Sequence, residues 1–199
     1  MKTIRDAVHL NIEVSDAEVA VLDTPQMQRL RYVKQLALAY LVYPSAVHNR
    51  FEHSLGTMHL ANLAAGRLFG NDEVALLRLA GLLHDVGHSA FSHLSEPLVK
   101  EKTGMGHEQL GMKKIQSGEI AEALSANGFS PAELLKAMRG PMDAVISSAF
   151  GTDRIDYLLR DAHFTGVSYS IVDAERLLQS FAFDGGKLVL EEKGLLAAE

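Results

Sequence analysis

Residues 73–83 read EVALLRLAGLL and run directly into His84-Asp85. Apolar side chains fall on every face of such a helix, so it is stable only at the centre of a larger helical assembly. Both this run and the apolar stretch from Leu36 to Tyr43 are far short of a membrane span. A buried helix that ends in an imidazole and a carboxylate carries a cost, because both groups lose their hydration. A divalent cation removes that cost, since neutral imidazole and carboxylate oxygen both ligate it. A hydrogen-bonded His–Asp pair closing the helix would also remove it, and the dipeptide alone does not separate the two readings.

Helical signals continue on both sides. Thr24-Pro25 supplies an N-cap and a first-turn proline, and Met27, Leu30, Val33 and Leu36 follow near helical spacing, so a helix is expected up to Tyr43-Pro44. A second is expected from about Arg50 to Phe69, stopping at Gly70-Asn71, with Asp72 capping the apolar helix. Residues 95–139 hold shorter helices broken at Thr103-Gly104, Gly118 and Asn127-Gly128, and Ser130-Pro131 is another cap signal. Helix resumes from Met142 to His163 with a break at Gly151-Thr152 and a stop at Gly166, and Asp173 to Phe181 is amphipathic. Alternation around Asp184-Gly185-Gly186 marks a hairpin, and His9 to Val14 reads as a short strand. The expected fold is mostly α, a helical core with a minor β hairpin or ribbon, in one domain over residues 1–199. The closing GLLAAE looks like the opening turn of an unfinished helix, as expected of the N-terminal part of a longer chain or of an unusually short version.

Composition narrows the chemistry. The chain has 19 Lys and Arg against 25 Asp and Glu, a net charge of −6, which argues against nucleic-acid binding through a basic surface. There are no cysteines, so a disulfide scaffold, a thiolate metal site and a Cys nucleophile are excluded. Any metal must be held by His and carboxylates. Charges at Lys2, Arg5 and Asp6 stand where a signal peptide needs an apolar core, so no membrane association and a cytoplasmic location are expected.

The histidines are bunched. HNRFEHSLG holds His48, Arg50 and His53; HDVGHSAFSH adds His88 and His93 within nine residues of His84; GHEQ adds His107; GTDRIDYLLRD supplies Asp153, Asp156 and Asp161. Spacing leaves Asp153 and Asp156 as equal candidates for a fourth ligand. His93 and Glu96 lie three apart, one helical turn, where a carboxylate fixes the imidazole tautomer and raises its basicity for acid–base work. Asp153, Tyr157 and Asp161 share one helix face.

The order H…HD…D, carried by His53, His84-Asp85 and Asp153, resembles the HD-domain phosphohydrolase superfamily. The strings DTPQMQRLRYVKQL, YPSAVHNRFEHSLG, LLHDVGHSAFSH, GHEQ and DRIDYLLRDAHFTG are similar to its deoxynucleoside triphosphate triphosphohydrolase branch, from about Ile4 onward. The resemblance implies an HD-domain helical core with His53, His84, Asp85 and Asp153 as ligands of one divalent ion, which Mg, Mn, Fe, Co, Ni and Zn would all satisfy. It selects Asp153 over Asp156. It implies a catalytic set of His93 paired with Glu96, His107 near the phosphates, and His88 at the scissile group; Glu96 stands where the family often has Asp. Arg50 and Arg154 become the electrostatic partners of a triphosphate, Arg50 touching phosphate and no metal ligand. Tyr157 walls the sugar, Asp161 accepts its 3′-hydroxyl, and Gln35 and Leu36 meet the sugar as well.

The implied reaction is metal-dependent hydrolysis of a deoxynucleoside triphosphate to deoxynucleoside and tripolyphosphate, with room for a second, substrate-bound Mg and for a homo-oligomer. A nucleotidase or stepwise phosphohydrolase keeps the same site; a non-catalytic nucleotide-binding module needs no acid–base histidines. His9, His59 and His163 are expected to be structural, and His48 has no assigned role. The RDAVHLNI start departs from the RDPVHG-type start of the family, and relatives carry further basic and aromatic triphosphate contacts in a later region.

Overall fold

The computed structural model describes residues 1–168, 173–192 and 194. The chain opens on an antiparallel hairpin, β1 (Lys2–Asp6) and β2 (Leu10–Val14), with Ile4 opposite Ile12. Ser15 and Glu18 form a capping box that starts α1 (Asp16–Leu22), followed by α2 (Pro25–Gln28). Then come α3 (Arg50–Ala65), α4 (Asn71–Leu83), α5 (Glu96–Thr103), α6 (His107–Gln116), α7 (Glu119–Ala126) and α8 (Pro131–Ala137). The short α9 (Ala144–Ser147) leads to α10 (Thr152–Thr165), α11 (Ala174–Gln179) and a second hairpin, β3 (Phe181–Asp184) and β4 (Lys187–Leu190). The fold is mostly α with two small antiparallel ribbons, as the sequence patterning implies.

Helix α3 is the axis, packed between α4 and α10. Two glycines set those distances. A Cβ on Gly81 would stand 3.2 Å from the Cα of Met58, so α4 lies tight against α3; a Cβ on Gly56 would overlap the Asp156 carboxylate of α10. On α4, Leu77, Leu79, Ala80, Leu82 and Leu83 are buried, which is where an all-round apolar helix belongs. The packing brings the middle of α3, the C-terminal end of α4 and the first turn of α10 to one corner.

Several element boundaries differ from the sequence reading. The helix expected from Pro25 to Tyr43 stops at Gln28 and gives way to 3₁₀ turns at Arg29–Tyr32 and Ala39–Leu41. Val33 turns extended so that Lys34 bridges to Asn49, and Ala37 sits at φ 49°, so the chain crosses the mouth of the corner instead of coiling beside it. Helix α4 begins two residues earlier than expected, with the Gly70 amide donating to the Glu73 carboxylate, so Asp72 lies inside the first turn. The expected second helix ends at Ala65 rather than Phe69. The N-terminal strand pairs with Lys2–Asp6, whose strand character the sequence reading did not identify. Residues 195–199, most of the unfinished helix, lie outside the described residues.

Candidate metal centre and cleft

His53 is completely buried on α3. Its Nδ1 stands 2.7 Å from Asp156 Oδ2, and the His84 Nδ1 stands 2.7 Å from the Gly81 carbonyl. Both partners are acceptors, so in each neutral ring Nδ1 carries the hydrogen and Nε2 the lone pair. These two Nε2 atoms face each other at 3.2 Å. Asp153 Oδ1 lies 3.0 Å from His53 Nε2 and 3.6 Å from His84 Nε2. Asp85 adds Oδ2 at 3.6 Å from His53 and Oδ1 at 3.5 Å from His84. Four acceptor groups thus converge with no donor among them, an arrangement that calls for a positive charge at its centre.

Protons supply that charge when no cation does. Burial opposes charging His53, yet hydrogen bonds to Asp153 and Asp156 outweigh it and raise the imidazole to about 10. Burial likewise opposes charging His84, and Asp85 and Asp153 overcome it. Two nitrogens and carboxylate oxygens at this spacing fit one divalent cation, and the donor set serves each of the metals named above. Asp156, the rival candidate by spacing, lies on the opposite edge of His53 from this cluster.

The cleft beside the centre encloses about 580 Å³ and is lined by His84, Asp85, His88, His93, His107 and Asp153 at one end and by Gln35, Leu36, Tyr157 and Asp161 at the other. That volume suits a nucleotide-sized ligand. His88 Nε2 stands 3.3 Å from Asp85 Oδ1, and its ring stacks on His107 with centroids 3.9 Å apart. Burial pushes His88 down to about 4, so it is neutral at pH 7. Gly87 makes the stack feasible, because a Cβ there would overlap the His107 carbonyl.

Glu96 serves two histidines. Its Oε1 accepts from His107 Nδ1 at 2.6 Å and from the His107 amide at 3.2 Å; its Oε2 lies 3.2 Å from His93 Nδ1. The bonds from His107 hold the carboxyl at about 2. The pairing expected with His93 is therefore the looser of two. His93 sits on a 3₁₀ turn with its side chain 68% exposed, so helical spacing holds it to Glu96 less firmly than the cap of α6 holds His107.

Two arginines depart from expectation. Arg50 lines the cleft, but its guanidinium donates to Asp85 and, at 2.7 Å, to Ser92 Oγ, so it braces a candidate metal ligand. Arg154 is exposed and lies off the cleft, because α10 turns residues 153, 157 and 161 toward the cavity and the residue after Asp153 about 100° away.

Four roles escaped sequence reasoning. His48 is buried, stacks on Phe164 and holds Asp161 Oδ1 at 2.8 Å. His9 reaches from the first hairpin to Asp156 Oδ1 at 2.6 Å. Arg160, fully buried, joins Asp156 to Asp6. Arg29, inside the DTPQMQRLR string, donates to the Val86 and His88 carbonyls at 2.5 and 2.6 Å and fixes the loop after the His-Asp pair. His59 lies 5.3 Å from the His9 ring, and His163 packs edge-on to Phe164.

Comparison with known proteins places these features in a family. The model of the HD domain matches residues 50–161. Uncharacterized protein MJ1154 of Methanocaldococcus jannaschii is 40% identical over 205 residues, covering 100% of this chain and 43% of its own. Human deoxynucleoside triphosphate triphosphohydrolase SAMHD1 is 32% identical over 211 residues, covering 84% of this chain and 34% of its own. The chain spans less than half the length of both curated relatives. A phosphohydrolase structure from Bacteroides thetaiotaomicron superposes with a TM-score of 0.88 at 29% identity, over 99% of this chain and 51% of that one. Among the described residues no helix is long and apolar enough to cross a membrane.

Proposed function

The chain belongs to the HD-domain family, and on that footing we propose that it is a metal-dependent phosphohydrolase that cleaves a deoxynucleoside triphosphate to deoxynucleoside and tripolyphosphate. The observation that carries the reading is the convergence of His53 Nε2, His84 Nε2 and Asp153 Oδ1, with the Arg50-braced Asp85 carboxylate alongside, next to a histidine–carboxylate relay on the same cleft. The likeness to human SAMHD1 supports the triphosphohydrolase branch.

When bound, a divalent cation supplies Lewis acidity at a phosphate oxygen and a water acidified enough to attack phosphorus. His53, His84, Asp85 and Asp153 would hold it. Arg50 keeps Asp85 ionised and aimed; Ser92 keeps Arg50 in place. His107, with Nδ1 engaged by Glu96, presents Nε2 as the group that manages the proton of the leaving 5′-oxygen. His88 lies neutral between Asp85 and His107, a hydrogen-bond partner for the scissile phosphate. At the far end His48 occupies one oxygen of Asp161 and leaves the other for a sugar hydroxyl, while Tyr157, Leu36 and Gln35 shape the space around the ring.

One observation favours a second reading. Among the described residues that line the cleft Arg50 is the one Lys or Arg, and Asp85 already takes it. A triphosphate then leans on its own Mg for charge balance, whereas a nucleotide with fewer phosphates does not, so stepwise hydrolysis stays in contention.

The phosphorus product decides. Incubation with dGTP and Mn²⁺ or Mg²⁺, followed by ³¹P NMR, should give tripolyphosphate. Orthophosphate or pyrophosphate would move the assignment to the second reading, and dGTP and a deoxynucleoside monophosphate both left unchanged would remove the catalytic one.

A further inference from the structure

The Asp6–Leu10 turn of the first hairpin lies behind the metal centre, on the far side of His53 from the cleft that the proposed reaction uses. Asp6 shapes its turn: Oδ1 accepts the Val8 and His9 amides, both at 2.9 Å, while Oδ2 accepts from Arg160 at 2.9 Å. The same carboxylate thus folds the turn and anchors it to α10. The turn points His9 inward, its side chain 7% exposed, with Nε2 at 2.6 Å from Asp156 Oδ1.

Asp156 is then gripped on both oxygens. Oδ2 accepts from His53 Nδ1 at 2.7 Å and from Arg160 Nε at 2.9 Å; Oδ1 accepts from His9 and from an Arg160 terminal nitrogen at 3.0 Å. Gly56 lets α3 close over Oδ1, where a Cβ would overlap it. Arg160 holds both oxygens through Nε and a terminal nitrogen, in the plane of its guanidinium. His9 adds a donor on Oδ1 from a third direction and so helps keep Oδ2 in line with the His53 ring.

We propose that His9 is a positioning residue: its hydrogen bond pins Asp156, which holds the hydrogen of His53 on Nδ1 and aims the Nε2 lone pair at the cation. The inference rests on the metal reading above. A direct partner of a metal ligand, as Asp156 is of His53, is commonly worth about 10–100-fold in metal affinity, and His9, one bond further out, carries a smaller share. The hairpin is therefore part of the metal site and not trim at the edge of the fold.

The test uses Mn²⁺ alone, with its dissociation constant measured by calorimetry on the full chain and the metal-free melting temperature measured alongside. His9→Phe keeps a ring beside His59 and removes the donor; it should bind Mn²⁺ more weakly, by up to about tenfold, while remaining folded. His9→Gln restores an N–H donor and should bind much closer to the natural chain. A lowered melting temperature with unchanged Mn²⁺ affinity in His9→Phe would make the role structural and overturn the proposal. Gln binding as weakly as Phe would overturn the hydrogen-bond account. A natural chain that takes up no Mn²⁺ would remove the metal reading itself, a result distinct from either.

Discussion

The two edges of the His53 ring face regions built on different terms. On the Nδ1 edge lies a closed corner in which Asp156 and Arg160 are both fully buried and each of their polar atoms is bonded, out to Asp6 and His9. Beyond the Nε2 edge lies the cleft, where one lining group is left short: Gln35 Oε1 is buried without a hydrogen-bond partner. Buried polar atoms ordinarily find partners, and leaving one unmade costs about 1–3 kcal/mol. The corner is finished by the fold alone, and the cleft is finished by what enters it. Rigid support behind a ligand set and an unsatisfied group in front of it are complementary halves of a preorganised site.

The contrast is tested hardest at its centre. Asp156→Ala removes the shared acceptor of His53, His9 and Arg160 and leaves the buried guanidinium with Asp6 alone. Breaking a buried, hydrogen-bonded ion pair costs about 3–5 kcal/mol, so the urea midpoint should fall steeply. A loss below about 1 kcal/mol would show that the corner does not carry the fold.

Within the cleft the comparison becomes kinetic. His107→Ala removes the histidine that Glu96 holds at 2.6 Å and should cost about 10²–10⁴ in turnover, with stability nearly unchanged. His93→Ala, at the exposed rim, should cost less. Steady-state rates and melting temperatures on the same samples check both, and a larger loss from His93→Ala would return the acid–base role to the pair that spacing alone suggests.

How much of this was legible in the sequence follows from the range of each signal. The apolar run into His84-Asp85, the Gly166 stop and the Asp184-Gly185-Gly186 turn are local, and the structure has each of them. The helix beyond Gln28 was misjudged because Leu30, Val33 and Leu36 mimic helical spacing while serving other ends; Leu36 lines the cleft. His48 reads as unassigned, and His9 as structural with no named partner, because their acceptors lie 113 and 147 residues away, and no periodicity reports a contact at that distance. Arg154 was placed by its neighbours in the motif, whereas helix geometry turns it outward.

A milder test returns to the cleft. Gln35→Ala removes a buried, unpartnered carbonyl, so stability should hold or rise slightly. Nucleotide affinity should fall by the worth of one neutral hydrogen bond, about 1 kcal/mol or roughly fivefold. Binding of a non-hydrolysed dNTP analogue together with the melting temperature reads both, and a drop in stability without a change in affinity would class Gln35 with the corner.

The smallest effect lies at the corner's surface. Leu10 follows His9 in the hairpin and holds φ at 63°, in the left-handed region, with its side chain 55% exposed. The RDPVHG-type start of the family has glycine at this point, where the conformation is free of Cβ strain. Leucine costs about 1–2 kcal/mol there, and glycine returns part of that gain through the extra freedom of its unfolded chain. Leu10→Gly should therefore stabilise the protein by about 0.5–1 kcal/mol, a rise of about 1–4 °C in melting temperature. Mn²⁺ affinity should stay level, since the Asp6 turn and the His9 contact are kept. A fall in melting temperature would mean that the Leu10 side chain contributes packing at the corner's rim, and the boundary between the closed region and the solvent would have to be redrawn one residue further out.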